Sequence, residues 1–157
     1  MDVATLTPDL HEGARLAHNA AFADHWGGQP LGRDQWQEEL ASVCCRPSWC
    51  QVAVDRASGT VVGYAINAAY EDEWPVQGYS EGHTDRLGVL REWRGRGVAS
   101  ALLRRSMQVF HEAGLGGAGL GVDSDNPTGA YPLYQHLGYL VVGGFVVHTR
   151  TEPGDQG

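Results

Sequence analysis

A short arginine- and glycine-rich stretch is the part of this sequence whose residue types most clearly suggest chemistry. Residues 91–99 read Arg-Glu-Trp-Arg-Gly-Arg-Gly-Val-Ala and lie between an extended apolar segment and a helical pattern. Glycine allows close approach to the backbone, and the first N–H groups of a helix have no partner within the helix. A strand, a glycine-rich turn and a helix start therefore predict an anion site, most often for phosphate, with Arg94 and Arg96 adding positive charge. The alternative is a tight turn with solvated arginines.

A second glycine-rich stretch has the spelling of a dinucleotide-binding fingerprint but lies in the wrong setting. Residues 114–119 read Gly-Leu-Gly-Gly-Ala-Gly, following a helical pattern and entering a strand. The fingerprint binds pyrophosphate only when it follows a strand and opens a helix, so we interpret this stretch as a connection. The histidines and the three cysteines lack metal-ligand spacing, and no metal site is predicted.

Length and composition limit the classes of function. The chain has 157 residues, which suits one domain, and its net charge is −8 with only 11 Lys and Arg residues. That balance argues against nucleic-acid binding and favours a cationic or amine-bearing substrate. No apolar run is long enough to cross a bilayer, and the first residues do not read as a secretory signal. The odd number of cysteines, with a vicinal pair, favours reduced thiols, so we expect a cytoplasmic protein without membrane or nucleic-acid partners.

The order of predicted elements indicates an α/β domain with a mixed sheet. Apolar periodicity and breaker residues predict strands over residues 3–6, 50–54, 60–68, 79–90, 118–122, 139–142 and 145–149, and helices over 8–23, 33–42, 96–113 and 127–137. The acidic segment 70–74 is predicted as a surface loop, or alternatively as a rim that attracts an amine substrate. Residues 1–150 are predicted to form one domain and residues 151–157 a disordered tail.

Two motifs resemble the GNAT superfamily of N-acetyltransferases. Arg94-x-x-Gly97-x-Ala99, after Leu87-Gly88-Val89, resembles the acetyl-CoA signature of that family. Asn126-Pro127-x-Gly129-Ala130-x-x-Leu133-Tyr134-x-x-x-Gly138-Tyr139 is similar to the family segment N-x-x-[AG]-x-x-LY-x-x-x-GF, with tyrosine in place of the last phenylalanine. Residues 21–27 also resemble the C-terminal halves of tandem GNAT proteins related to mycothiol synthase.

The resemblance implies a fold and a cofactor site. The expected fold is a mixed, mostly antiparallel sheet with a splayed parallel strand pair and helices on both faces, forming a single acyl-CoA N-acyltransferase domain. The diphosphate of acetyl-CoA would lie on the N–H groups at the start of the helix. The implied cofactor-binding residues are Leu87 and Val89, whose backbone would pair with the pantetheine arm, the run Arg94, Gly95, Arg96, Gly97, Val98 and Ala99, and Asn126.

The implied reaction is transfer of an acetyl group from acetyl-CoA to a primary amine by direct attack on the thioester. Tyr134 matches the position of the general acid in the family. Several relatives carry a carboxylate at the position that His83 occupies here, and imidazole can accept a proton near neutral pH. Asp85 and Glu81 lie two residues to either side and would share its face of the strand. We rank His83 first as the base, then Asp85, then Glu81, with a water relay as the remaining alternative.

The implied acceptor is a small-molecule or peptide amine, and the acidic residues 71–73 favour a cationic one. Relatives are often dimers, so a homodimer is also expected. Two other classes of function compete with this prediction. One is a non-catalytic acyl-CoA-binding or regulatory module with the same fold. The other is a nucleotide-binding module for NAD or ATP that uses the turn at residues 94–99.

Overall fold

The computed structural model describes residues 1–21, 30–121, 140–142 and 146–150. These residues contain a seven-stranded sheet in the order β1-β2-β3-β4-β5-β7-β6. The strands are β1 Asp2–Thr5, β2 Gln51–Val54, β3 Val61–Ala68, β4 Glu81–Val89, β5 Gly117–Gly121, β6 Leu140–Val142 and β7 Val146–Arg150. Every neighbouring pair is antiparallel except β4 and β5, which are parallel. The predicted mixed, mostly antiparallel sheet is confirmed.

Four α-helices accompany the sheet in the described part of the chain. They are α1 His11–Ala21, α2 Arg33–Leu40, α3 Trp74–Gln77 and α4 Val98–Glu112. Single 3-10 turns cover Pro8–Leu10, Pro47–Trp49, Glu71–Glu73 and Arg91–Trp93. The acidic segment predicted as a loop is therefore a 3-10 turn that leads into α3. The helix predicted over residues 127–137, the disordered tail and the histidine-tryptophan run at 25–26 lie outside the described residues.

The two faces of the sheet carry separate apolar clusters. On one face, Ala14 and Ala17 of α1 and Trp36 of α2 pack with Tyr64 and Ile66 of β3. The buried positions of α1 recur at helical spacing, which is why this helix lies flat on the sheet. On the opposite face, α4 buries five side chains against β3, β4 and β5: Val98, Leu102, Leu103, Ser106 and Phe110. Helices on both faces are confirmed, although Ala113, predicted on the buried side of α4, is exposed.

A β-bulge interrupts β4 in its middle. Ile66 of β3 pairs with Arg86, but the next residue, Asn67, pairs with Thr84, so Asp85 has no partner across this ladder. An extra residue on one strand reverses the alternation of side chains beyond it. Before the bulge, Thr84 faces α4. After the bulge, Leu87 lies on the same side of the sheet and packs against the apolar cluster of α4. The bulge therefore changes which residues of β4 share a face, a feature that strict alternation along the sequence does not predict.

A buried histidine links α1 to the sheet. His18 Nδ1 lies 2.6 Å from the hydroxyl of Tyr64, and its ring packs 5.6 Å from the ring of Trp36. Burial, together with the nearby Arg86 cation, lowers the pKa of His18 to about 4, while Glu39 acts in the opposite direction. The imidazole is therefore neutral in the folded protein at neutral pH.

No helix among the described residues is both long and apolar enough to span a membrane.

This histidine predicts a pH dependence of stability. Below the ordinary histidine pKa of about 6.5, the unfolded chain binds a proton at His18 that the folded protein does not bind until about pH 4. We expect the free energy of unfolding to fall by up to about 1.4 kcal/mol per pH unit across this window. Urea unfolding at pH 7 and pH 5 measures the difference. His18→Gln should reduce it, whereas His111→Gln, on the exposed side of α4, should retain it. An equal pH difference in all three proteins would contradict the assignment.

Candidate active site

The predicted anion site is a turn of two glycines at the start of α4. Gly95 and Gly97 have φ angles of 78° and 81°, a backbone region that only glycine adopts without strain. A Cβ added at either position would meet no described atom within 4 Å, so both glycines border open space. Gly97 is the N-cap of α4, and no side chain of the described chain caps the first turn. The exposed N–H groups and the positive end of the helix dipole fit a diphosphate.

The two arginines of this turn do not both present free charge to it. Arg94 Nε lies 3.3 Å from the carbonyl oxygen of Val89, and Arg94 Nη2 lies 3.1 Å from that of Ala21. Its guanidinium thus connects the end of β4 to the last residue of α1. Arg96 lies over the ring of Trp93, 4.9 Å from the ring centroid. Both side chains are predicted to lie beside a phosphate. In this structure Arg94 bridges two backbone carbonyls, and its role in binding a phosphate stays a prediction.

An unpaired edge of β4 leads from this turn towards the centre of the sheet. Among the described residues, the parallel ladder pairs Glu81–Thr84 with residues 117–120 and extends no further, although β4 continues to Val89. The N–H group of Leu90 donates to Val62 of β3 at 2.9 Å. Because residues alternate in direction along a strand, Leu87 and Val89 point their N–H groups to the opposite, open edge. The predicted parallel strand pair is present, and the two residues predicted to bind an extended arm direct their N–H groups to the edge of β4 that has no partner among the described residues.

Three proton-accepting side chains converge where the ladder is still intact. His83 Nδ1 lies 3.4 Å from Glu81 Oε1, and His83 Nε2 lies 3.7 Å from Asp85 Oδ1. The exposed fractions of the side chains are 8% for Glu81, 18% for His83 and 34% for Asp85. The imidazole thus lies between a buried and a partly exposed carboxylate. The structure brings together the three predicted candidates for the base, even though the bulge falls at Asp85.

Two tyrosines hold the outer carboxylates of this group. The hydroxyl of Tyr79 donates to Glu81 at 3.0 Å, and that of Tyr70 donates to Asp85 at 2.6 Å. The ring of Tyr70 also stands edge-on to His83, with centroids 5.6 Å apart. Burial and the hydrogen bond to Asp85 raise the pKa of Tyr70 well above its ordinary value, so its hydroxyl remains a donor. The arrangement provides an acceptor for a proton inside a fixed frame of hydrogen bonds.

Comparison with known proteins agrees with this geometry. The sequence profile of the Acetyltransferase (GNAT) family matches residues 12–139. The chain belongs to the GNAT acetyltransferase family. Mycothiol acetyltransferase of Thermobifida fusca is 30% identical over 141 residues, which are 88% of this chain and 43% of that protein. Mycothiol acetyltransferase of Nocardiopsis dassonvillei is 30% identical over 131 residues, covering 83% of this chain and 39% of that protein. The chain thus spans less than half the length of these curated relatives.

Solved structures of GNAT proteins share the fold. A GCN5-related N-acetyltransferase from Sphaerobacter thermophilus superimposes with a TM-score of 0.70 at 28% identity, over 97% of this chain and 45% of that one. One from Kribbella flavida has a TM-score of 0.72 at 20% identity, over 95% and 96% of the two chains. A GNAT acetyltransferase from Brucella melitensis, solved in complex with acetyl-CoA, has a TM-score of 0.67 at 17% identity, over 97% and 88%. The predicted family and fold class are confirmed.

Some predicted site residues of the GNAT domain are not among those the structure describes. Tyr134, predicted as the acid, and Asn126, predicted to hold the pantetheine arm, both lie between residues 122 and 139. Their roles stay predictions. The acidic segment at residues 71–73 is among the described residues, and Glu71 Oε1 forms an ion pair with Arg46 at 2.8 Å. No cluster of three or more potential metal ligands is present among the described residues.

Sequence reasoning missed both tyrosines that hold the carboxylates. Tyr79 lies two residues before Glu81, so extending the alternation of β4 by one step would have indicated a shared face. Tyr70 reaches Asp85 from a separate turn, 15 residues earlier in the chain, and only the folded GNAT domain shows this contact. The missed residues are therefore those whose function depends on tertiary contacts.

The bridging geometry of Arg94 leads to a prediction about charge and shape. Lysine retains the positive charge but cannot reach both the Val89 and Ala21 carbonyls with a planar fork of donors. We expect Arg94→Lys and Arg94→Ala to lose similar stability without ligand, about 0.5–1.5 kcal/mol for each hydrogen bond lost. Arg96→Ala, which removes an exposed arginine from the same turn, serves as the control and should lose less. Thermal unfolding of the wild type and the three variants without CoA measures these losses of stability. Wild-type stability in Arg94→Lys would show that the charge alone matters.

Proposed function

We propose that this GNAT domain transfers an acetyl group from acetyl-CoA to a primary amine on a small molecule or peptide. The observation that carries the proposal is the unpaired edge of β4. This edge joins a glycine turn suited to a diphosphate, at Gly95 and Gly97, to a group of proton acceptors around His83. A long thioester cofactor needs an anion site at one end, an extended backbone along its arm and acid–base chemistry at the other end. A single strand offers all three in that order.

Residues along this edge would hold acetyl-CoA. The N–H groups of the turn from Gly95 to Ala99 would bind the diphosphate, and the arm would pair with the backbone of Leu87 and Val89. The carbonyl oxygen of Val89 already accepts a hydrogen bond from Arg94. Of the two N–H groups on this edge, that of Leu87 lies nearer to His83 along the strand and is proposed to meet the acyl end of the arm. Asn126 is proposed to hold the arm from the other side.

His83 is proposed to prepare the acceptor. Acetyl-CoA supplies an acetyl group on a thioester, which a neutral amine can attack and from which a thiolate can leave. An amine is charged near neutral pH and cannot attack until it loses a proton. His83 would take that proton, and Asp85, lying 3.7 Å from Nε2, would hold the ammonium group before the transfer. Tyr134 would donate a proton to the leaving sulfur.

The acceptor is proposed to be cationic in its resting form. The net charge of the chain is −8, two carboxylates lie beside His83, and three further acidic residues form the Glu71–Glu73 turn. The relatives named mycothiol acetyltransferase make amines related to mycothiol the first acceptors to test. Cytoplasmic location and a homodimer also stay predictions.

Cofactor binding is tested by two matched glycine variants. Gly97 and Gly114 have φ angles of 81° and 83°, and neither has a described atom within 4 Å of an added Cβ. Alanine should therefore impose the same left-handed strain at both positions, about 1–2 kcal/mol. Acetyl-CoA should stabilise the wild type and Gly114→Ala against thermal unfolding, whereas Gly97→Ala should lose most of the shift because its methyl group occupies the diphosphate approach. Equal thermal shifts in the two variants would show that the turn does not bind the cofactor. Stabilisation by ATP or NAD but not by CoA would favour a nucleotide-binding module.

Catalysis is tested by release of free thiol from acetyl-CoA in the presence of an amine panel. The wild type should release CoA thiol in an acceptor-dependent manner. His83→Gln should lower kcat by about a hundredfold to ten-thousandfold, the usual contribution of a general base, while the thermal shift with acetyl-CoA is kept. Tyr134→Phe should also slow turnover without preventing binding. Binding of acetyl-CoA without thiol release for any amine would instead identify a non-catalytic acyl-CoA module.

A further inference from the structure

The closer acidic partner of His83 is also the more buried of the two carboxylates beside it. Glu81 retains 8% of its side-chain exposure, and its Oε1 lies 3.4 Å from His83 Nδ1. Its other oxygen, Oε2, accepts the hydroxyl of Tyr79. A carboxylate fixed at both oxygens cannot turn away from the imidazole without breaking a hydrogen bond. Glu81 is thus oriented towards the ring and lies further from solvent than Asp85.

The two carboxylates beside His83 compete for the single N–H group of the neutral ring. A proton on Nδ1 points to Glu81, and a proton on Nε2 points to Asp85. Glu81 is nearer, at 3.4 Å against 3.7 Å, and less exposed, which strengthens its interaction with the ring. The geometry therefore favours the tautomer with hydrogen on Nδ1, leaving the lone pair of Nε2 exposed on the more solvent-accessible side.

A glycine on the neighbouring strand provides the space for this pair. Gly119 of β5 lies opposite His83 in the parallel ladder. A Cβ added at Gly119 would lie 2.9 Å from His83 Nδ1, and still nearer to Oε1 and Cδ of Glu81. Any other residue would have to displace one of the two side chains. The last glycine of the stretch with the dinucleotide-like spelling thus has a role unrelated to nucleotide binding.

We propose that Glu81 is a positioning residue that holds the Nδ1–H tautomer of His83, and that Gly119 is required to accommodate the pair. This inference rests on the proposed function, because His83 is taken as the base for an amine acceptor. In the step it supports, the lone pair of Nε2 takes one proton from the ammonium group, which leaves a neutral amine. The resulting imidazolium donates through Nδ1 to Glu81, whose negative charge balances it. Glu81 itself remains ionised throughout.

Nuclear magnetic resonance of the 15N-labelled histidine rings tests the tautomer directly, with the His83→Gln spectrum identifying the resonances of His83. The neutral ring of the wild type should carry its hydrogen on Nδ1. Glu81→Gln retains an acceptor oxygen and should keep this tautomer, whereas Glu81→Leu removes the acceptor and should shift hydrogen to Nε2. Hydrogen on Nε2 in the wild type would overturn the proposal. This measurement needs no substrate, so it stands even if thiol release fails for every amine.

Steady-state kinetics separates positioning from direct proton transfer by Glu81. We expect Glu81→Leu to lower kcat by about tenfold to a hundredfold, the usual effect of losing an orienting partner, with little change in KM for acetyl-CoA. Glu81→Gln should recover part of that loss, because its amide oxygen still accepts from Nδ1 but carries no negative charge to balance the imidazolium. Equal losses in the Gln and Leu variants would overturn the proposal, because they would make Glu81 itself the proton acceptor.

The role of Gly119 is tested against a neighbouring glycine. Gly119→Ala should give a mixture of His83 tautomers and lower kcat, with the thermal shift by acetyl-CoA kept. Gly116→Ala is the control, since a Cβ there meets its nearest atom, the carbonyl oxygen of Ser80, at an ordinary 3.5 Å. Wild-type tautomer and kcat in a folded Gly119→Ala protein would contradict the requirement for this glycine.

Discussion

The parallel pairing of β4 with β5 stops at Thr84 and Leu120, and every group of the candidate site takes its position from that break. On the paired side of the break, β5 lies close enough for Gly119 to contact Glu81 and His83. On the unpaired side, β4 continues for five residues with one edge free of partners in the described chain. One strand therefore carries proton chemistry at its start and an open hydrogen-bonding edge at its end. The open edge exists only where β4 is not paired with β5, whereas the proton-accepting side chains lie where the two strands are paired.

A buried polar network next to the bulge stabilises the register shift between β3 and β4. Asn67 of β3 occupies the register shift, where its side chain donates to Ser106 of α4 at 2.9 Å and accepts from Thr84 at 2.7 Å. It also donates to the carbonyl oxygen of Trp49 at 2.7 Å. Since an unpaired buried amide costs free energy, the three contacts together favour the one register in which all of them form. The bulge at Asp85 is thus determined by packing beneath the sheet.

The parts of the fold that follow local rules could be predicted from the sequence. The glycine turn, the start of α4 and the strand before it depend on residues that are near neighbours in the chain, and the structure has them within a few residues of the predicted bounds. The shared face of Glu81 and His83 followed from alternation along one strand, whereas Asp85 lies at the bulge. The bulge, the Tyr70–Asp85 contact, the space at Gly119 and the bridge from Arg94 to Ala21 could not be predicted in this way. Each depends on which elements pack together, and no local spacing encodes that choice.

The second half of β4 and the turn that follows it are also tied to the helices on the opposite side of the sheet from α4. Arg86 Nε contacts Glu39 Oε2 of α2 at 2.7 Å, next to the bulge, and Arg94 contacts the last residue of α1. A guanidinium at the C-terminus of a helix interacts favourably with the negative end of its dipole, so the second contact is electrostatically matched. The glycine turn and the proton-accepting group therefore share a support formed by α1 and α2.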